Sequence, residues 1–250
     1  MAEAIAFVLH GSTVATNAIL EGKGATTGLL TTAGFQYALE IGRHDILRRA
    51  NLYAWIKPAR PVPPRRIRKA KKRLLPDGTI DTPLDAATCR DVARQLCNMG
   101  VETIAIVFLH TYTNPVHKQQ ATASVQAMCP QIQIFLSSYA LPVFLEYERT
   151  MATVLNASLQ PLVSRYISRL ATSLHTHGLQ APLLIIQSDG GIWGPQTAAQ
   201  QPAHLALWGP AAGTIGASSI GRLAATLRPF RSTWGAPAPM FASSGRVVRP

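Results

Sequence analysis

Acidic residues are scarce in this chain. Twelve Asp and Glu stand against 24 Lys and Arg over 250 residues, a formal net charge of +12. That balance excludes an acidic, self-repelling chain and makes the placement of the basic excess the informative question. Much of it lies in one run, residues 57–73. No apolar stretch approaches the ~20 residues that span a bilayer. The opening MAEAIAFVLH has an acidic residue and no basic lead, so it does not read as a signal peptide. A cytoplasmic protein without membrane contact is expected. Cysteine is nearly lacking too: Cys89, Cys97 and Cys129 form an odd set without a CxxC pair, which predicts reduced thiols rather than disulfides or zinc. Cys89 and Cys97, eight apart on a predicted helix, read as core residues. His110, His117, His175 and His177 lack the i, i+4 spacing with a carboxylate that a helical zinc site uses. No metal ligand is predicted, and no internal repeat is seen.

What is present is a globular composition. A hydrophobic content of 47% supports one large domain or two small ones. Apolar runs at residues 26–32, 103–109, 132–136 and 183–186 read as strands, and residues 5–9 as a strand or a helix end. Between them, Asp85 caps a predicted helix over 86–99 that Gly100 ends, and Asn114-Pro115 opens another to about Met128. The segment FQYALEIG predicts a short helix stopped by glycine. A long helical pattern covers 143–177, with a break or kink expected near Pro161. Alternating helix and strand is α/β layering. Residues 43–81, rich in Pro and basic residues, are expected to be irregular, with the basic run a solvated loop.

The rest of the chain is organised around residues 183–213, LLIIQSDGGIWGPQTAAQQPAHLALWGPAAG. A strand runs into a polar-Gly-Gly turn, and a Gly-Pro-Ala-Ala-Gly turn opens a small-residue helix. Such loops let backbone N–H groups and a helix N-terminus approach a phosphate. Asp189, Gly190, Gly191, Gly209, Ala212 and Gly213 are therefore the predicted nucleotide contacts. An ordinary Asp-Gly turn and tight helix packing are the plainer readings of the same residues. In HGSTVATN, the side chains of Thr13, Thr16 and Asn17 suit substrate or phosphate contacts, or else Thr13 and Asn17 only cap a helix.

Six blocks together resemble the hydantoinase A/5-oxoprolinase family: HGSTVATNAILEGKGATTGLLTTAGF, LEIGRH, VFLHTYTNPVHK, LSSYALPVFLEYERT, APLLIIQSDGG and GPAAGTIGA. They fall in family order across residues 5–222. The resemblance implies an α/β, two-lobed fold of the actin, sugar-kinase and chaperone-ATPase group, here incomplete. It divides the chain into an N-terminal-type region at 1–140, the start of a hydantoinase A-type domain at 141–222, and an irregular, disordered tail at 223–250. It also implies ATP-dependent hydrolysis of a cyclic amide such as 5-oxoproline or a hydantoin. The γ-phosphoryl passes to the lactam oxygen with Mg²⁺ as counter-ion, and water then attacks the activated carbon. A hydantoinase B-type partner subunit is implied as well. By the same resemblance Glu148 and Asn17 are the catalytic candidates, Glu148 as a general base. Thr13, Thr16, Arg149 and Asn156 are the substrate-binding candidates. An ion-paired helix face is the plainer reading of Glu146, Glu148 and Arg149.

Three departures from the family pattern stand out. An Asp-x-Gly-Gly-Thr-x-Thr-Asp loop is expected ahead of HGSTVATN and has no room before Met1. A second loop, Asp-Met-Gly-Gly-Thr-Ser-Thr-Asp-Val, is expected after GPAAG and is absent. Trp208 stands where the family has a small residue. The second absence has a specific reading. The segment TWGAPAPMF can be written ACA TGG GGG GCA CCA GCA CCG ATG TTC. Preceded by a G and read one base back, it becomes GAC ATG GGG GGC ACC AGC ACC GAT GTT, which encodes the missing loop. A frameshift between about Arg222 and Ser232 is expected on this reading, and the chain alone is expected to be inactive. Two alternatives accompany it: a nucleic-acid-binding module through residues 57–73, and a non-functional gene remnant.

Overall fold

A computed structural model of the chain describes residues 5–43, 60–223, 230–233 and 240–243. Strand β1 (Val8–His10) leads to helix α1 (Val14–Leu20), strand β2 (Thr27–Thr32) and the one-turn helix α2 (Ala38–Ile41). Strands β3 (Ile67–Ala70), β4 (Arg73–Leu74) and β5 (Ile80–Thr82) follow. Helix α3 (Ala86–Asn98), strand β6 (Thr103–Val107), helix α4 (Val116–Met128), strand β7 (Gln133–Leu136) and helix α5 (Ser137–Ala140) precede the 31-residue helix α6 (Glu146–Thr176). The last elements are β8 (Leu183–Ile186), β9 (Ile192–Trp193), α7 (Pro195–Gln200), α8 (Trp208–Leu223), β10 (Phe230–Thr233) and β11 (Met240–Ser243). The chain divides into two compact units, residues 25–158 and residues 1–24 with 159–250.

The unit of residues 25–158 is built on a parallel sheet of order β3-β2-β6-β7. Its two central strands are buried on both faces, as their unbroken apolar runs require. Side chains alternate across the sheet. Leu30, Ile104 and Ile106 join Val92 and Leu96 of α3 and Val125 of α4 in one core. Leu29, Ala105 and Val107 join Val154 and Ala157 of α6 in another. Helix α3 starts where expected, because the Asp85 carboxylate accepts the Ala87 N–H at 2.9 Å, a cap worth about 1 kcal/mol. It stops before Gly100, whose φ of +69° only glycine adopts without strain.

In the unit of residues 1–24 and 159–250, β1 pairs parallel with β8, and β9 pairs antiparallel with β8. Ala15 and Ala18 of α1, Leu159, Val163 and Ile167 of α6, Ile185 of β8, Leu205 and Trp208 form its core.

Several expectations are corrected. Helix α6 runs unbroken through Pro161. The proline has no N–H for the Ala157 carbonyl, and burial of Val154, Ala157, Leu159 and Val163 on both sides outweighs that loss. The region expected to be irregular contributes β3 to the main sheet in parallel register with β2, and from there Ala70, Lys72 and Leu74 are buried while Lys71 and Arg73 are exposed. Cys97 and Cys129 are not free thiols but a disulfide, with Cα atoms 6.8 Å apart. The packing of α3 on α4 brings them together, which a separation of 32 residues did not reveal. Cys89 is free and buried. The tail expected to be irregular forms one antiparallel pair, β10 with β11; residues 224–229, 234–239 and 244–250 lie outside the described residues. Among the described residues, no helix is long and apolar enough to cross a membrane.

Candidate functional site

Strands β1 and β8 run parallel with His10 opposite Ile185. The turn Gly11-Ser12-Thr13 and the turn Gln187 to Gly191 therefore leave the same edge, the carboxyl ends of adjacent parallel strands. Open α/β sheets take their ligands at such edges. The start of α8 closes on the first turn. A Cβ on Gly209 would lie 2.6 Å from the Ser12 carbonyl oxygen, and one on Gly11 would lie 2.4 Å from the Ala212 Cβ. The small residues of GPAAG thus serve backbone contact with the HGST turn, the packing role weighed above. Gly213 is partly exposed.

The second turn is closed on itself. Gly191 N–H donates to the Asp189 carboxylate at 2.8 Å, Gly190 N–H to the Gln187 carbonyl at 3.1 Å and Ser188 N–H to the His204 carbonyl at 2.8 Å. These three amides are engaged and do not form a phosphate cradle as they stand. Exposed Asp189 must release the Gly191 amide before that amide can meet an anion. In HGSTVATN, the Thr16 hydroxyl is buried and donates to the Ala206 carbonyl, so it braces the loop ahead of α8. Thr13 occupies the N-cap position of α1 without a side-chain cap bond. The neighbouring Ser12 hydroxyl accepts the Val14 N–H at 3.3 Å instead. Asn17 Nδ2 reaches Thr13 Oγ1 at 3.4 Å.

The other predicted residues lie on the first half of α6, in the unit of residues 25–158. Glu148 is ion-paired: Arg43 Nε and Nη2 lie 2.6 and 2.5 Å from its Oε1. Its own backbone N–H, followed by Arg43, holds its carboxyl below the ordinary range. That makes it a weak general base, so the ion-paired helix face describes it best. It lines a surface depression of about 270 Å³ with Ile41, Arg43, Leu145 and Glu146. Asn156 is buried.

Arg149 is 1% exposed. Its Nη2 donates to the Phe108 carbonyl at 3.0 Å, and the guanidinium lies 5.5 Å from the Tyr112 ring centroid. Beside it sits a residue that the sequence reading placed in solvent. Lys72 is 3% exposed, its Nζ donates to the Leu109 carbonyl at 2.9 Å and lies 4.9 Å from the Phe108 ring centroid. Burial, then the charges of Arg149 and Arg73, lower its ammonium to about 7. The signal for it was the alternation of Ala70, Lys72 and Leu74 inside the basic run. The run is accordingly no continuous nucleic-acid face. Lys72 is inside, Arg60 pairs with Glu40 and Arg68 donates to Gln95 at 2.8 Å; residues 57–59 lie outside the described residues.

The hydantoinase/oxoprolinase N-terminal region matches residues 1–129, and the hydantoinase/oxoprolinase domain matches residues 149–227. An uncharacterized protein of Methanocaldococcus jannaschii is 34% identical over 88% of this chain and 32% of its own length. The caprolactamase subunit alpha of Pseudomonas jessenii is 35% identical over 74% of this chain and 27% of its own. The crystal structure of the ATP-dependent caprolactamase from that organism superposes with a TM-score of 0.81 at 29% identity, over 98% of this chain and 36% of that one. The chain thus spans about a quarter to a third of the length of these relatives, and the expected actin-like α/β class stands. On these matches the chain belongs to the hydantoinase/oxoprolinase family, a family of ATP-dependent hydantoinase, oxoprolinase and carboxylase enzymes.

Proposed function

We propose that this chain is part of an ATP-dependent hydrolase that opens a cyclic amide, 5-oxoproline or a hydantoin. The observation that carries the reading is the common edge of β1 and β8, where the HGST and QSDGG turns emerge beside the start of α8. There, Asp189, Gly190, Gly191, Gly209, Ala212 and Gly213 form one wall of a nucleotide site for ATP with Mg²⁺, and Thr13 and Asn17 face the same edge. Asp189 would have to leave the Gly191 amide before that amide could hold a phosphate. Arg149 and Asn156, on α6, are substrate-binding residues in this reading. Glu148 positions Arg43 rather than taking a proton. The partner is a hydantoinase B-type subunit; the names of relatives, a subunit alpha and an acetophenone carboxylase gamma subunit, support a multi-subunit enzyme.

Residues 1–250 contain neither Gly-Gly-Thr phosphate loop of the family pattern. The 250-residue chain alone is therefore expected to give no phosphate release from Mg-ATP that depends on 5-oxoproline or hydantoin. Turnover by the bare chain would overturn its incompleteness. A chain given both loops and its partner subunit is expected to turn over, and its failure with every cyclic amide would overturn the assigned reaction. We further propose that the second loop is encoded out of frame across residues 233–241. Sequencing the gene there should show the codons that read Asp-Met-Gly-Gly-Thr-Ser-Thr-Asp-Val one base back; any other codons at those positions reject the frameshift.

A further inference from the structure

The sheet of residues 25–158 has its own ligand edge. From β2 the chain crosses to β3 on one side, and from β6 it crosses to β7 on the other. Adjacent strands whose connections leave in opposite directions open a crevice beyond their carboxyl ends, where open α/β sheets bind ligands. Three segments meet there. Leu109, after β6, gives its N–H to Thr32 Oγ1 at the end of β2 (3.0 Å) and its carbonyl to Lys72, after β3 (2.9 Å). The Phe108 carbonyl takes Arg149 Nη2.

The chemistry at this edge is one-sided. Lys72, Arg73 and Arg149 act on one another or on His110, His117 also senses Lys72, and Glu146 is the carboxylate that offsets Arg149 and His110. Two neighbouring buried cations are unfavourable unless an anion compensates them. Polar atoms remain free to meet one: Arg149 Nε and Nη1 and the Nδ1 of buried His117 have no hydrogen-bond partner. The turn that carries the crevice is also strained. His110 has a φ of +57°, a conformation that costs a non-glycine residue about 1 kcal/mol and clusters at functional sites.

We propose that the crevice beyond the carboxyl ends of β2 and β6 is an oxyanion site, where Lys72, Arg149 and His117 take a carboxylate or a phosphoryl group. The proposal shares with the functional reading only the view of Arg149 as a binding residue. It needs no nucleotide wall, so a chain that fails to bind ATP can still bind here. The competing account is that Lys72 and Arg149 merely brace the Phe108 and Leu109 carbonyls.

The test titrates the 250-residue chain with inorganic phosphate and, separately, with acetate, at an ionic strength held constant with sodium chloride. Wild type is expected to show a saturable rise in Tm of a few degrees with at least one ion, and the ion identifies the group as phosphoryl or carboxylate. Lys72→Met should weaken that response about tenfold or abolish it, while Lys72→Arg should retain part of it. A response to neither ion, or an equal response in Lys72→Met, overturns the site and leaves the bracing role. Should Lys72→Met not fold, the ring protons of His110 and His117 in wild type decide by NMR: saturable shifts with the anion support the site, and unmoved signals refute it.

Discussion

Replacing Trp208 with alanine is expected to remove about 3–5 kcal/mol of stability, the usual cost of emptying a large aromatic site. Trp208 is fully buried and sits in the core of residues 1–24 and 159–250 with Ala15, Leu159, Val163 and Ile185. Its ring stands edge-on to His10 at 5.8 Å and to Tyr166 at 6.2 Å, and His10 Nε2 lies 2.9 Å from the Tyr166 hydroxyl. Loss of the indole therefore opens a cavity and loosens the partly buried His10–Tyr166 pair beside it. Trp208→Phe should cost much less, roughly 1–2 kcal/mol. The smaller ring keeps most of the contact, and it also removes the indole N–H, which is buried without an acceptor and therefore carries a desolvation penalty in the native protein. Urea unfolding of both variants checks this. A loss below about 1 kcal/mol for Trp208→Ala would mean that this core is not part of the cooperative unit. Because the family pattern has a small residue at this place, the experiment also asks whether the core can close again around one.

How far the sequence reveals the fold depends on how local each cause is. Helix α3 was legible because its cap, its apolar stripe and its terminal glycine lie within sixteen residues. Strands β2 and β6 were legible because burial on both faces leaves an unbroken apolar run. Strand β3 was hidden because its neighbours in sequence are Pro and basic residues, and only the pairing with β2 makes Ile67–Ala70 extended. The Cys97–Cys129 bridge depends on how α3 meets α4, a contact with no sequence period. At the candidate nucleotide edge, the residue types were legible and their hydrogen bonds were not. Asp189 could be seen to add charge, but not to occupy the Gly191 amide. Thr16 looked like a ligand because its partner, the Ala206 carbonyl, lies 190 residues away.

Lys72 makes stability depend on pH with a predictable sign. Its ammonium titrates near 10.5 when the chain is unfolded and at about 7 when folded. Between those values the unfolded chain holds a proton that the folded chain lacks, so stability rises with pH, by at most ~1.4 kcal/mol per pH unit. Below pH 7 both states hold the proton and the penalty for burying the charge is fully present. The useful window is pH 7 to 9. Cys89, pushed up to about 11 by burial from 9.0, acts in the opposite direction, but only above pH 9. The depressed His10, His110 and His117 are neutral throughout the window. Lys118, also depressed, contributes equally to wild type and to a Lys72 variant and cancels in their difference. Urea unfolding at pH 7, 8 and 9 should show wild type gaining about 2 kcal/mol relative to Lys72→Met across the window. The absolute stability of the variant is a poorer readout, since losing the charge relieves the penalty while the Leu109 carbonyl loses its donor, an opposing cost of about 1–3 kcal/mol. Saturating oxyanion should flatten the wild-type slope, because a bound anion keeps the ammonium charged in the folded state. Parallel curves for the two proteins without anion would show that Lys72 stays charged in the fold, and that its burial is compensated within the protein.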